Sequence, residues 1–439
     1  MRVRLRLGVV AMVVVACGKV GDIPTDAAGG SADALDPKTT IQVATTGDDD
    51  TADGLSKPVK TLKRAFALAT ANGAITTISL AAGKYGTANG DTYPYTVPAN
   101  VTILGAATGG SILAGTGAEE GLKLDTGTLQ DLEFENFTFA LRASGPGTLT
   151  NVKVRTSMVS VFAESTAKLT ANNVDITGTP AKCTSVGLQA SGAAQVTVNT
   201  FTVHTVGTVL NQIDQSVVSI AKGAITGDPA CSQSLFSVSG KSLDLTDTTL
   251  TGGGDGISFS GTPAVTLMNS TISDTKGDAM VGRVATLSMN GGELRNNARG
   301  GIETFLGTWT LTNVGLKGNP VFGIYIQGSS VAAPGTLVMR GCTISGNGNG
   351  VYMFGFSVGD FGTGAAPGNN TFQGNANVGI DINGGGNGAR RVDAVGNTWK
   401  VNTQGASTQG TYGSQLIQGP ISLTNGNNFA IDSGWTLQL

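Results

Sequence analysis

Histidine is nearly absent: His204 is the only one in 439 residues. That excludes a histidine-based zinc cluster, and a Ser-His-Asp site would have to use this single imidazole. Charged residues are scarce at 13%, aromatics at 5%, and the formal net charge is −3 with no extended basic run. Nucleic acid is therefore not expected as a partner. Glycine is what the chain has in excess, with 66 residues that lack the every-third-residue period of collagen. With 40% hydrophobic residues alongside, the profile is that of many short strands joined by tight turns around a real core.

The N-terminus carries Arg2, Arg4 and Arg6, then a short apolar stretch from Val9 to Val15. That stretch is too short to span a bilayer. Val14-Val15-Ala16-Cys17 resembles the lipobox of bacterial lipoproteins, which implies loss of residues 1–16 and lipidation of Cys17. An ordinary signal peptide with an incidental cysteine is the alternative. Processing at this point takes the net charge from −3 to −6. Gly18 rather than Asp follows the cysteine, which points to the outer membrane or cell surface. The lipidated cysteine and residues to 38, rich in Gly, Ala, Ser and Asp, read as a flexible tether spanning 17–38.

Internal periodicity sets the fold class. An apolar-x-apolar pair begins at Val196, Val218, Leu243, Val265, Leu287, Trp309 and Leu337, at intervals of 22, 25, 22, 22, 22 and 28. A second apolar residue follows seven positions on, at Val203, Ile225, Leu250, Ile272, Leu294, Leu316 and Ile344. A third strand is marked by Gly256-Ile257, Gly301-Ile302, Gly323-Ile324, Gly350-Val351 and Gly379-Ile380. Three short strands per coil predict an all-β, right-handed parallel β-helix over residues 39–402, with like residues stacked about 4.8 Å apart. Weaker coils run back through Leu169 and Leu149 to Leu132. A leucine-rich repeat shares the period, but its Leu-x-x-Leu-x-Leu signature and helical segment are missing. A solenoid end needs a cap. Residues 58–71 supply one, with Leu62, Ala65, Phe66 and Ala69 on one helix face, and residues 403–439 are expected to close the other end.

Gly47-Asp48, Gly54, Pro58-Val59-Lys60-Thr61-Leu62 and Ala65 resemble the opening of the bacterial family called domain of unknown function 1565. Ala82-Gly83-Lys84-Tyr85 is similar to its Pro-Gly-x-Tyr element, with Ala for Pro, and Val97-Pro98 and Val101-Thr102-Ile103-Leu104-Gly105 to the strand that follows. The resemblance is dense over residues 41–105 and generic afterward. It implies a pectin-lyase-like β-helix, related in fold to pectate lyases and other polysaccharide-active solenoids. The calcium-binding and lysine constellation of lyases with this opening maps onto no positions here.

Several residues are chemical candidates. Asp48, Asp49, Asp50 and Asp53 form either a calcium-binding cluster or a polar turn leading to the capping helix. Glu303, Tyr325, Tyr352 and Asp381 follow successive Gly-apolar pairs and should share one outward column, with Ser258 in the equivalent earlier place. Two stacked tyrosines flanked by carboxylates suit a sugar, whose faces pack on rings and whose hydroxyls donate to carboxylates; a solvated ladder is the bland reading. Asp255 and Asp278, one coil apart, could share calcium or a proton, with Arg283, Arg295 and Arg299 near in sequence. His204 is expected to be exposed, and Asn269, Asn313 and Asp247 to serve left-handed turns. Cys183 and Cys231 lie in similar insertions two coils apart, about 9.6 Å by regular stacking. A disulfide requires those loops to fold over the shorter coil between them, and export favours it. Cys342 falls in a strand as a small core residue.

The reading that results is a monomeric, membrane-anchored cell-envelope protein that binds or organises polysaccharide without catalysis and without a cofactor. A calcium-assisted polysaccharide lyase or glycoside hydrolase, and a purely structural envelope protein, remain alternatives.

Overall fold

Alternating apolar and polar residues, repeated every 22 to 28 positions, wind the chain into stacked parallel coils. This is seen in a computed structural model that describes residues 36, 38–107, 110–284, 286–330, 333–383, 390–400, 429–431 and 435–438. Cys17 and the tether lie outside the described residues, apart from positions 36 and 38. Among the described residues no helix is long and apolar enough to cross a membrane.

Two sheets form the walls. A 24-stranded sheet carries the first and second walls, because strands such as Lys168–Thr177 and Gln195–Val206 run through the corner between them. A 14-stranded sheet is the third wall. Neighbouring coils pair in parallel and the expected registers hold: Val196 pairs with Val218, Val218 with Leu243, Leu243 with Val265, Leu287 with Trp309 and Trp309 with Leu337. In the second wall Ile225 meets Leu250 and Leu294 meets Leu316. These stacked side chains are buried, each contributing about 2 kcal/mol of apolar burial.

The earliest coils depart from the expected thread. Leu169 stacks on Gly147 rather than Leu149, Leu149 stacks on Leu129 and Ala171, and Leu132 opens a separate strand, Leu132–Glu135. Glycine at 147 removes the apolar marker that would have shown the register.

Corners between the first and second walls turn on single residues in left-handed conformation, among them Asn151, Asn173, Asp247, Asn269 and Asn313. Asn and Asp tolerate that conformation better than other side chains, and the Asn269 amide donates to Asp247 Oδ1 at 3.3 Å.

Between the second and third walls the turn is built differently, by a buried ladder of Asn297, Asn319, Asn347 and Asn375 that the sequence reading missed. Each amide oxygen after the first accepts both the main-chain N–H and the Nδ2 of the preceding asparagine, at 3.0 to 3.1 Å. Each Nδ2 also donates to a carbonyl of the preceding coil, as Asn319 does to Leu294 O at 3.1 Å.

Helix Leu62–Ala71 covers the first coil with Leu62, Ala65, Phe66 and Ala69 turned inward. Thr61 caps it by accepting from the Arg64 N–H at 3.1 Å. The acidic segment before it is a turn: Asp48 accepts from the N–H of Asp50, Asp53 from those of Leu55 and Ser56, and Asp49 from Lys60, Thr61 and the Thr61 hydroxyl. These bonds hold the Asp53 carboxyl down at about 2, Ser56 contributing most. At the far end, Phe429–Ile431 pairs with Val378–Asn383 and Trp435–Gln438 with Arg390–Asp393, so the described pieces of the tail prolong the walls.

Cys183 and Cys231 are joined, with Cα atoms 5.3 Å apart instead of the two-coil spacing. The coil between them narrows to Gly207, where a Cβ would fall 2.1 Å from Cys183 O. Asp228 accepts from the Ala181 N–H at 2.6 Å, binding one loop to the other. Cys342 is buried and free, and His204 is exposed.

Replacing Asn319 by Ala strands the Asn297 N–H inside the turn. An unmatched buried group costs about 1–3 kcal/mol. Asn319→Ala should therefore lower the urea midpoint and speed amide exchange in residues 294–302, while the same change at the exposed strand position Asn290 should do neither.

Candidate functional site

The third wall places Glu303, Tyr325, Tyr352 and Asp381 in direct register on successive strands: Gly300–Phe305, Phe322–Gly328, Asn349–Gly355 and Val378–Asn383. Inward neighbours Ile302, Ile324, Val351 and Ile380 stack in the core and so fix the outward direction of the column. Ser258 and Val281 continue it on the preceding coils.

Flanking outward positions add aromatics that the sequence reading did not assemble. Phe322 and Phe305 pack on Tyr325 with centroids 5.8 and 6.2 Å away, and Phe354 lies 6.4 Å from Tyr352. Tyr325 and Tyr352 are 5.2 Å apart but meet at 66°, so the expected face-to-face stack is an edge-to-face pair. That geometry follows from ring quadrupoles, which disfavour an eclipsed sandwich. Tyr325 donates to Gln327 Oε1 at 3.1 Å and Asn349 to Asp381 Oδ2 at 3.1 Å, which orients the rim. Gly300 is what lets Phe322 lie across the wall, since a Cβ there would come within 2.0 Å of the ring.

The column and the acidic pair, read separately from sequence, are one site. Asp255 and Asp278 each precede a third-wall strand, and the Asp278 N–H donates to Asp255 Oδ1 at 3.0 Å. Arg299 then joins Asp278 to the column: its Nη1 donates to Asp278 Oδ2 at 3.0 Å and, more closely, to Glu303 Oε2. Its guanidinium carbon stands 5.7 Å from the Phe322 centroid. Of the two other arginines considered, Arg295 pairs with Glu293 at 3.4 Å on the second wall, and Arg283 is exposed at the end of Met280–Gly282.

Asp278 is 1% exposed and Glu303 8%. Burial pushes the Asp278 carboxyl up to about 7; Arg299 opposes the rise, while Glu303 and Asp255 reinforce it. A protonated Asp278 removes one negative charge from beside Glu303 under the arginine. A guanidinium, and not a space open to a cation, stands between Asp278 and Glu303. Among the described residues no group of three His, Cys, Asp or Glu gathers into a metal site.

Comparison with known proteins bears out the family resemblance. Residues 45–241 match the family described as "Protein of unknown function (DUF1565)", and residues 186–399 match "Right handed beta helix region". The solenoid is a right-handed β-helix. No curated protein matches the sequence. Similar solved structures include the catalytic domain of a GH87 alpha-1,3-glucanase in complex with nigerose, at 12% identity and TM-score 0.46. The match covers 84% of this chain and 66% of the glucanase chain, just under two thirds. Another is the mannuronan C-5 epimerase AlgE6 A-module of Azotobacter vinelandii, at 12% identity and TM-score 0.40, over 86% and 94% of the two chains. The periplasmic alginate epimerase AlgG matches at 11% identity and TM-score 0.37, over 78% and 89%. No site residue is carried over from them.

Because folded Asp278 holds its proton to about 7 while an unfolded aspartate releases it near 3.8, the native state binds more protons between those values. Its contribution is present at pH 4 and is lost as pH rises to 7. Urea midpoints of wild type and Asp278→Asn should therefore diverge between pH 4 and 8, with wild type losing stability relative to the variant. Parallel curves would show that Asp278 titrates normally.

Proposed function

We propose that the outer face of the third wall around Tyr325 and Tyr352 binds polysaccharide, and that a lipid on Cys17 holds the chain at the cell envelope, on the outer membrane or cell surface. The observation that carries this reading is the in-register column Glu303–Tyr325–Tyr352–Asp381, widened by Phe305 and Phe354. Rings set beside carboxylates match a sugar's apolar faces and hydroxyl rim. A repeating ligand also suits a surface that repeats itself coil by coil.

Burial supports a non-catalytic role. Asp278, whose raised affinity for a proton would suit a general acid, is sealed beneath Arg299, and a proton donor must reach the group it protonates. Glycoside hydrolysis or polysaccharide lysis is the second reading, favoured by the raised affinity of Asp278 for a proton.

A glycan array probed with the chain begun after Cys17 tests the first reading. At least one polysaccharide class should be retained, and Tyr325→Ala should weaken it roughly tenfold, the scale of a lost aromatic contact. New reducing or unsaturated ends during incubation would favour the enzyme, and an empty array would leave a structural envelope role. The anchor is tested separately: labelled palmitate should enter the wild-type protein in bacteria and be absent from Cys17→Ser, which should move to the soluble fraction.

A further inference from the structure

The outward column that carries Tyr325 and Tyr352 does not begin at Glu303. In register, strand by strand, it runs back through Val281 and Ser258 to Phe162 and Arg142. At that early end the wall carries a second cluster built on the plan of the first. The Phe139 and Phe162 rings lie 5.8 Å apart at 33°, and both are half-buried. The Arg142 guanidinium carbon stands 5.4 Å from the Phe162 centroid. Two carboxylates hold it there: Nη1 donates to Glu120 Oε1 at 3.1 Å, and Nε and Nη2 donate to Glu164 at 2.6 and 2.9 Å.

Arg299 is set in the same way, between Asp278 and Glu303 and over Phe322. An exposed aliphatic side chain borders each cluster. Met158, 41% exposed, immediately precedes strand Val159–Ala163, and Val321, 51% exposed, immediately precedes Phe322–Gly328. Stacking alone repeats a residue type on adjacent coils. It does not restore a mixed group of arginine, carboxylates, rings and an aliphatic side chain several coils later. Phe162 and Tyr325 are seven strand spacings apart, roughly 34 Å. Between them the column carries Gln189, Asn211, Ser237 and Ser258, all half-exposed or exposed. Amides and hydroxyls both donate and accept, as the hydroxyls of a neutral sugar do, and serine at the two later positions keeps the relief of the wall low.

We propose that Phe139, Arg142 and Phe162 form a second anchoring site, and that one neutral, unbranched glycan lies along the solenoid axis across both clusters. The rings at each end receive sugar faces, and the polar run between them receives hydroxyls. The contacts follow a single column, which suits a single unbranched chain. Once a chain is held at one cluster, its contact with the other is intramolecular, so affinity climbs when the chain is long enough to reach both. This inference rests on the polysaccharide-binding reading and deepens it.

The test is calorimetric titration of the full chain, held in mild detergent, with pullulan and mixed-linkage β-glucan, both soluble, neutral and unbranched. Each is used as a trisaccharide and as a fraction long enough to reach both clusters. For at least one of them the long fraction should bind at least tenfold more tightly than the trisaccharide, counted per binding register. Phe162→Ala should remove that gain. Ser237→Trp, at an exposed position between the clusters, should remove it as well by obstructing the path, with far-ultraviolet circular dichroism confirming that both variants fold. Equal affinity at the two lengths, or a gain that survives Phe162→Ala, would overturn the second site. If neither long fraction binds while the array retains another class, the assignment to a neutral glycan is overturned. In each of these cases, array retention that is lost in Tyr325→Ala leaves the polysaccharide reading standing. An empty array would remove that reading and this inference together.

Discussion

Parallel hydrogen bonding between successive coils is the constraint on which the rest depends. It spaces strands about 4.8 Å apart and allows no drift, since a one-residue slip would turn every apolar side chain of a wall outward. Each position along a strand thereby becomes a column. Inside, columns of Leu, Ile and Val fill the core, with Trp309 accommodated between Leu287 and Leu337. At one corner the columns are left-handed Asn and Asp, and at another they are amides bonded from coil to coil. On the third wall the same rule lines up Glu303, Tyr325, Tyr352 and Asp381. The site is a consequence of the stacking, since no loop gathers these residues.

Within that frame the energetics of the face turn on Arg299. Three carboxylates within two coils would repel one another if all were ionised, and two of them are almost wholly buried. One guanidinium, bound to both Asp278 and Glu303 and resting over Phe322, removes part of that repulsion. The remainder is relieved by the proton that Asp278 keeps. A lysine would not serve equally, because a compact ammonium lacks the flat, delocalised head that reaches two carboxylates while lying over a ring. Gly300 is part of the same arrangement, since only a missing side chain leaves room for that ring.

Much of this was legible in the sequence. The column was countable because every Gly-apolar pair from Gly301 to Gly379 fixes where the next residue points. The Gly-apolar thread passed over the strand through Met280 because Ala279 stands where the others have glycine, and Gly147 hid the register of the early coils in a similar way. The asparagine ladder was visible as intervals of 22, 28 and 28 from Asn297 to Asn375, yet polar residues in a turn suggest solvent, and only burial shows that these face the core. Arg299 was one of three arginines near the acidic pair. Sequence distance could not separate it from Arg283 and Arg295, because the choice depends on the corner direction that precedes Gly300. The tilt between the tyrosine rings depends on side-chain torsions, which no periodicity specifies.

The link between Cys183 and Cys231 has a mechanical consequence. A solenoid drawn from one end comes apart by peeling, one coil after another, since each layer is held chiefly by its neighbours. In this chain a covalent hoop encloses the layer that contains Gly207, and the 48-residue span between the two sulfurs cannot be drawn out into an extended thread. Tension applied at the N-terminal end would strip the early layers and then stall at the hoop. The aromatic face, which begins beyond it, would stay wound under load.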